Sequence, residues 1–508
     1  MLGHKDRVFW PLTEISLEDL VPENNFYRRL EECLDLDFIP DFVSSFYSEI
    51  GRPSIDPVVF FKLQLIAFFE GIRSERQLME TVNVNLAHRW FIGYDVTEAV
   101  PDHSSLSKIR VRYGLVTFQR FFERIVELCI EAGLVWGEEL YFDSTKVQAN
   151  ASIDRLTPRV EWEAQQHLHE LFENKTDLEG RDSEEFTTLN DDSLQDDNFD
   201  HEPESERVPT PQELVEKYDG SRLTGVRKPT YERITDREVC PTDPDASPMQ
   251  LSGGGSSVMG YRDHYIVDGG KQRIILHALV TPASIMDNTP MLDLVKYVCS
   301  KWKLQPKQAT GDAKYGTIPN IVGLEEMGIK AYLPTPYLSN RSGLFPPNIF
   351  QYDREKDKYI CPEGQSLPLF SRRKTEQVLV YRAKAEICNA CLVKAKCTDS
   401  KSGRYIFRSF FQEELDRAEA YQQTEAYQKA IRKRSVWVEP LFGEAKQFHR
   451  LEHFRLRGLE KVNIEGLMVA AGQNIKRLIK RASSRAFSFY DLLCLLFHSP
   501  TPLTFSTG

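Results

Sequence analysis

The chain has 508 residues, 41% hydrophobic and 27% charged; this length calls for two or three structural units, and no apolar run approaches the ~20 residues of a membrane span. The opening MLGHKDRVFWPLTEISLEDL lacks the basic-then-apolar pattern of a secretory signal, so a cytosolic protein is expected. A net charge of −11 argues against a polyanionic partner, but residues 160–206 hold 17 acidic against two basic residues and residues 429–485 hold 14 basic against 5 acidic, an asymmetry that fits a nucleic-acid surface or solvated helix faces.

Residues 15–130 read as helical. SIDPVVFFKLQLIAFFEGI and SERQLMETVNVNLAHRWFI carry apolar residues at three- and four-residue spacing, with Asp56 before Pro57 and Ser74 before Glu75 as helix starts. In PDHSSLSKIRVRYG, Ser104 or Ser105 is expected to cap a helix presenting Lys108, Arg110 and Arg112, either as a small DNA-binding unit or as part of a structural bundle. At residues 139–147 the period changes to that of a short strand, LYFDSTKV. Residues 157–255 are rich in Asp, Glu, Ser, Pro and Gly, with one helical piece around VEWEAQQHLHELFEN, and predict a mobile or elaborated insert.

GYRDHYIVDGG and QRIILHALVTP, parted by Asp-Gly-Gly, predict a hairpin. The helical MLDLVKYVCSKW, the segment KQATGDAKYG and the strand GIKAYLPTP follow, then an insert and a basic helical end. That order predicts an α/β core with a mixed sheet, the hairpin supplying antiparallel pairs and the helices covering the faces. No internal repeat is visible.

Three acids stand out: Asp143 in ELYFDSTKVQANAS, Asp312 in ATGDAKYGTIPNI and Glu439 in KRSVWVEPLFGEAK. Carboxylates gathered on one fold can hold two divalent metals ~3.5–4 Å apart, one activating a nucleophile and one stabilising a leaving oxygen. Asp143 lies in or just past a strand and Asp312 follows one, where open α/β sheets place their ligands. On a helix, Phe442, Gly443, Lys446 and Arg450 would share the side of Glu439. Each acid also has a plain reading: Asp143 as a turn residue or a cap for Ser144 and Thr145, Asp312 as a loop aspartate, and Glu444 as a competitor of Glu439. His264, on the hairpin, reads as a structural histidine or as a neighbour of the site.

FDSTKVQANAS, GYRDHYIVDGG with TPASIMDNTPM, TGDAKYG and VEPLFGEAK resemble the successive blocks of bacterial insertion-sequence transposases of the DDE type. The stretch from PSIDPVVFF to SSLSKIR resembles the helical N-terminal domain of that group, so the resemblance covers roughly residues 40–480. It implies a ribonuclease-H-like mixed sheet flanked by helices. The implied organisation is an all-helical DNA-binding or dimerisation domain at 1–130, a catalytic domain at 136–485 and a tail at 486–508. Within the catalytic domain lie an acidic insert at about 157–255 and a four-cysteine insert at about 340–410.

The resemblance further implies Asp143, Asp312 and Glu439 as catalytic carboxylates with two Mg²⁺ (or Mn²⁺) per active site, and Lys446 with Arg450 on backbone phosphate. Related transposases place a Tyr and an Arg before the Glu and a Lys after it. Lys446 fits that pattern, whereas Ser435 stands at the Arg position with Arg434 one residue displaced, and Arg432 stands at the Tyr position. The implied partners are DNA (terminal inverted repeats and target) and a second copy of the chain on that DNA, in the cytoplasm at the nucleoid, with no membrane. The alternatives are a metal-dependent nuclease without strand transfer and a domesticated, non-catalytic DNA-binding protein.

Of nine cysteines, Cys361, Cys388, Cys391 and Cys397 cluster in one segment. They can form a tetrahedral thiolate site for zinc, or stand as four reduced thiols. Arg372, Arg373, Lys374, Lys394 and Lys396 make the same segment basic, so it can also meet DNA.

Overall fold

The computed structural model describes residues 16–47, 54–179, 209–218, 237–251, 256–335 and 343–497. The architecture is mixed α/β and divides into two compact units, Met1–Pro306 with Arg434–Gly508, and Lys307–Lys433.

The first unit opens with α1 (Leu17–Leu20), α2 (Phe26–Cys33), α3 (Ile39–Val43), α4 (Pro57–Phe69), α5 (Glu75–Val84), α6 (Leu86–Ile92) and α7 (His103–Glu131). Asp56 caps α4 by accepting the Val58 N–H at 2.7 Å, and Pro57 sits at the first turn, where no N–H is needed. Phe60, Phe61, Leu63, Leu65 and Ile66 of α4 are all buried, the mark of a helix enclosed on every side. Helix α7 starts at Asp102, whose carboxylate accepts the Ser104 N–H at 2.8 Å, and not at Ser104 or Ser105. A carboxylate also suits the positive end of the helix. Gly114, at φ +60° and ψ −179°, breaks α7 into two stretches, and the Leu115 N–H donates to Glu460 Oε1 at 3.0 Å.

Strand β1 (Glu139–Gln148) follows. The segment after it contains the pair β2 (Thr157–Pro158) and β3 (Glu238–Val239), with α8 (Arg159–Glu179), α9 (Pro211–Lys217) and β4 (Ser247–Gln250). The expected helical piece is α8; most of the remaining acidic stretch, residues 180–208, lies outside the described residues. The predicted hairpin is present as β5 (Ser257–Asp268) and β6 (Ile275–Pro282), followed by α10 (Met291–Trp302). β5 runs antiparallel to β1, with Asp143 opposite Tyr265 and Thr145 opposite Asp263. Its other edge pairs with β4 and β6.

In the second unit β7 (Gln308–Thr310) and β8 (Lys330–Tyr332) are parallel and joined through α11 (Ile318–Glu326). The expected cysteine-bearing segment folds as an antiparallel sheet of β9 (Gln351–Asp353), β10 (Lys358–Ile360), β11 (Ser366–Arg373), β12 (Val378–Arg382) and β13 (Tyr405–Ser409), in the order β13-β12-β11-β10-β9. Helices α12 (Ala385–Asn389) and α13 (Lys394–Cys397) separate β12 from β13, and Phe350, Tyr359, Leu367, Tyr381 and Ile406 form a local core. Helix α14 (Gln412–Gln422) follows, and the boundary between the units falls within α15 (Glu425–Trp437).

The first unit resumes with α16 (Glu439–His449) and α17 (Leu459–Phe497), which continues past residue 485, where the catalytic domain was expected to end. Two asparagines of α17 clamp the outer edge of β6. Asn463 accepts the Val280 N–H at 2.8 Å and donates to the Val280 carbonyl at 2.9 Å, and Asn474 does the same for Ile275 at 2.9 and 2.8 Å. Eleven helical residues rise about 16 Å and five strand residues about 17 Å, so helix and strand repeats coincide at both clamps. Gly472 lets α17 meet α4, because a Cβ there would fall 2.2 Å from Phe68 Cε1.

Candidate active site

The alternation of strand side chains puts Asp143 and Thr145 of β1 on one face of the sheet, beside Tyr265 and Asp263 of β5. The Tyr265 ring stacks on Phe442 of α16 with centroids 4.4 Å apart, so α16 lies across that face. Glu439 is the first residue of α16, with Pro440 next, and its side chain is 56% exposed.

Arg434 joins the two acids. Its Nη1 donates to Asp143 Oδ2 at 3.0 Å and its Nη2 to Glu439 Oε1 at 3.2 Å. Asp143 Oδ1 accepts the Ser144 N–H at 2.8 Å, and the Ser144 hydroxyl donates to Asp287 Oδ1 at 2.6 Å. Asp287 is also paired with Arg262, whose Nε donates to the Ala283 carbonyl at 3.0 Å. The strand that carries Asp143 is thus tied to the loop after β6. Asp312 belongs to the second unit; it follows β7, as expected, and its Oδ1 accepts the Lys314 N–H at 2.9 Å.

Glu444 has a different setting. Lys476 Nζ donates to it at 2.5 Å and Arg477 Nη2 at 3.3 Å, with His449 nearby. Despite the cost of burial, hydrogen bonding with His449 and Lys476 and the charges of Arg477 and Lys476 hold its carboxyl well below the usual range. It is a structural anion inside the fold, which leaves Glu439 as the acid at the surface.

The cations sort by helix geometry. Lys108 and Arg112 of α7 are exposed, and the Arg112 guanidinium lies over the Tyr47 ring. Arg110, expected to contact DNA, is buried and paired with Glu75, which also accepts from Arg455 at 3.1 Å. Two residues along a helix turn the side chain by ~200°, so 110 cannot share the face of 108 and 112. Lys446 is half-buried; burial draws its ammonium pKa down, opposed by the carboxylates of Glu452 and Asp263. Arg450 is exposed but does not share the helical face of Glu439, because at φ 59° it is the left-handed residue that ends α16.

His264 is structural. It is buried against the Thr281 hydroxyl, 2.9 Å from Nε2, and burial pushes its pKa down to about 3. Its neighbour Asp263 was not anticipated. It is fully buried, neither carboxyl oxygen has a hydrogen-bond partner, and burial raises its pKa well above the ordinary value. The alternation in YRDHYIV, with Asp263 two residues before Tyr265 on the face of Asp143, was the available signal.

The four clustered cysteines line one small cavity of about 30 Å³. Cys361 Sγ accepts the Gln365 N–H at 3.3 Å, and burial raises the Cys397 thiol pKa. An all-thiol donor set has the chemistry of a zinc site. Among the described residues, however, no group of three or more His, Cys, Asp or Glu is gathered closely enough to hold an ion. The carboxylate site likewise brings two acids together within the first unit, not three.

Residues 15–112 match a family described as a transposase domain (DUF772), and residues 360–479 match one described as a transposase DDE domain. The second match takes in the four cysteines, Arg434, Glu439 and Lys446; Asp143 and Asp312 lie outside it. No curated relative matches the chain. Among solved structures it is similar to the piggyBac transposase synaptic complex with hairpin DNA, at 10% identity over 95% of this chain and 84% of that one; the TM-score of 0.32 is too low to bear on the fold.

Proposed function

We propose that the chain is a DDE-type transposase, a reading supported by the transposase-family matches of residues 15–112 and 360–479, and that it binds the ends of its own element and catalyses metal-dependent DNA cleavage and strand transfer. The observation that carries this reading is the sharing of one guanidinium by Asp143 and Glu439, acids 296 residues apart in the chain. The order of β1, β5, β6, β7 and β8, with α10 and α11 between the later strands, supports a ribonuclease-H-like core.

Carboxylate oxygens suit hard divalent cations, and Asp143 and Glu439 already converge on one positive group. Asp143 and Glu439 would therefore hold Mg²⁺ or Mn²⁺, with Asp312 proposed as the third carboxylate on the resemblance alone; such ions, when bound, activate a nucleophile and stabilise a leaving oxygen. The protein's own part is positional. Arg434 keeps two acids together that would otherwise repel, and Glu439 meets solvent where a DNA strand can reach it. Lys446, Arg450, Lys108 and Arg112 supply cations for backbone phosphates, which fix register without reading sequence. By analogy two chains act on two ends, in a cytoplasmic, nucleoid-associated complex.

The test uses a duplex carrying the DNA that borders the gene, with Mg²⁺. Asp143→Asn, Asp312→Asn and Glu439→Gln should each bind it yet neither nick it nor join its 3′ ends to a second duplex; full activity in any one removes that residue from the site. Wild-type nicking without any joined product would instead leave a nuclease. We propose too that the four cysteines close on structural zinc. Elemental analysis of the reduced protein should give near one equivalent, and none would dismiss the site.

A further inference from the structure

Resting on the transposase reading, we propose that the cleft at the end of β1 is a DNA-strand site that seats a backbone phosphate about five nucleotides from the bond being cut. The cleft has a volume of about 810 Å³, in the range of sites that enclose a nucleotide-sized ligand. It is lined by Arg73, Arg155, His453, Arg455 and Arg457, with Asp154 as its one acid among the lining residues.

Arg455 and Arg457 are prearranged, and the set is only partly neutralised. Gln148, at the end of β1, is tied to the chain after α16: its N–H donates to the Glu452 carbonyl at 2.9 Å, and its carbonyl accepts the Phe454 N–H at 2.8 Å. Asn150 then donates to the Arg455 carbonyl at 2.8 Å and accepts, through its own carbonyl, from Arg457 Nε at 2.9 Å. Arg457 is thus aimed by neutral oxygens, with the buried Asp243 carboxylate as an electrostatic neighbour. Arg155 is exposed and has no ion pair among the described residues, whereas Arg455 is matched by Glu75. Cationic side chains presented along one cleft are the chemistry that holds a backbone phosphate by charge.

Position sets the register. Gln148 lies five residues along β1 from Asp143, about 17 Å at ~3.4 Å per residue. On a DNA strand lying along β1, as the proposal has it, a phosphate every ~3.4 Å of helix axis makes that span about five phosphates.

The experiment measures binding of the full chain to the duplex bordering the gene, at several salt concentrations and with single phosphates neutralised as methylphosphonates. R155A/R457A should bind about tenfold more weakly near physiological salt, with the log K against log salt slope shallower by about two. R155K/R457K should recover most of both. In the wild type, neutralising a phosphate about five steps from the cut should weaken binding, and the alanine pair should be indifferent to that change. Unchanged affinity and slope in the alanine pair, a loss that lysine does not recover, or undiminished sensitivity at that phosphate would each overturn the proposal. If the wild type cuts and joins while the alanine pair binds normally, the cleft fails and the transposase reading stands. If the cleft variants behave as expected but the wild type never joins ends, the reverse holds.

Discussion

The start and the middle of α16 carry two glutamates five residues apart, and their surroundings differ in exposure and in partners. At the start, Glu439 and Asp143 share the guanidinium of Arg434, and the Glu439 side chain is 56% exposed. In the middle, Glu444 is 20% exposed and faces both Lys476 and Arg477, which leaves a net positive group. A carboxylate outnumbered by cations inside a fold has its electrostatic need met. A carboxylate that meets solvent, as Glu439 does, keeps an oxygen open to a metal ion.

The largest test of that contrast is catalytic. Glu439→Gln or Asp143→Asn should lower cleavage by about 10³-fold or more with the melting temperature little changed, while Glu444→Gln should retain most activity. The effect on stability should run the other way. E444Q removes an anion that Arg477, itself largely buried, depends on, and should cost about 2 kcal/mol in denaturant unfolding at pH 7. Because the folded-state pKa of Glu444 lies below its unfolded value of 4.5, its contribution is present above that pH and lost as the pH falls beneath it. The gap between E444Q and wild type should therefore close in acid.

Arg434→Ala should leave Asp143 and Glu439 facing each other, costing about 1 kcal/mol without divalent ions, and added Mn²⁺ should restore part of it in a melting assay. An equal loss with and without Mn²⁺ would mean that the two acids do not act together. The smallest effect concerns Asp263, buried with Tyr265 and Lys446 around it. Its folded pKa is raised, so its contribution is full below the unfolded value of 3.8 and is lost as the pH rises toward the folded value. Asp263→Asn cannot ionise, and its stability relative to wild type should increase from pH 3.5 to pH 7.

The strands, the hairpin and the settings of Asp143 in a strand, Asp312 after one and Glu439 on a helix were legible because strand period, turn chemistry and helix period are local signals. Arg434 was placed in doubt by its one-residue displacement. That spacing does not reveal how α15 gives way to α16 at Val438, where the Val438 N–H still bonds the Arg434 carbonyl at 3.0 Å. Arg110 was misjudged from alternating charges, although the helical turn already set it opposite Lys108 and Arg112. The end of α16 at Arg450, the partners of Glu444 and the isolation of Asp263 depend on contacts between distant segments, which no local pattern encodes. The same holds for the arginine cleft, assembled from residues near 73, 155 and 455.

The asparagine clamps on β6 also set a timetable. A strand edge with open N–H and C=O groups invites pairing with another chain, and the groups that close this one, Asn463 and Asn474, reach the growing protein only after the strands themselves have been made. Arg434 and Glu439 arrive in the same late stretch. A nascent or prematurely released chain would therefore be sticky and would also lack the Asp143–Arg434–Glu439 contact, and completing synthesis would supply both at once.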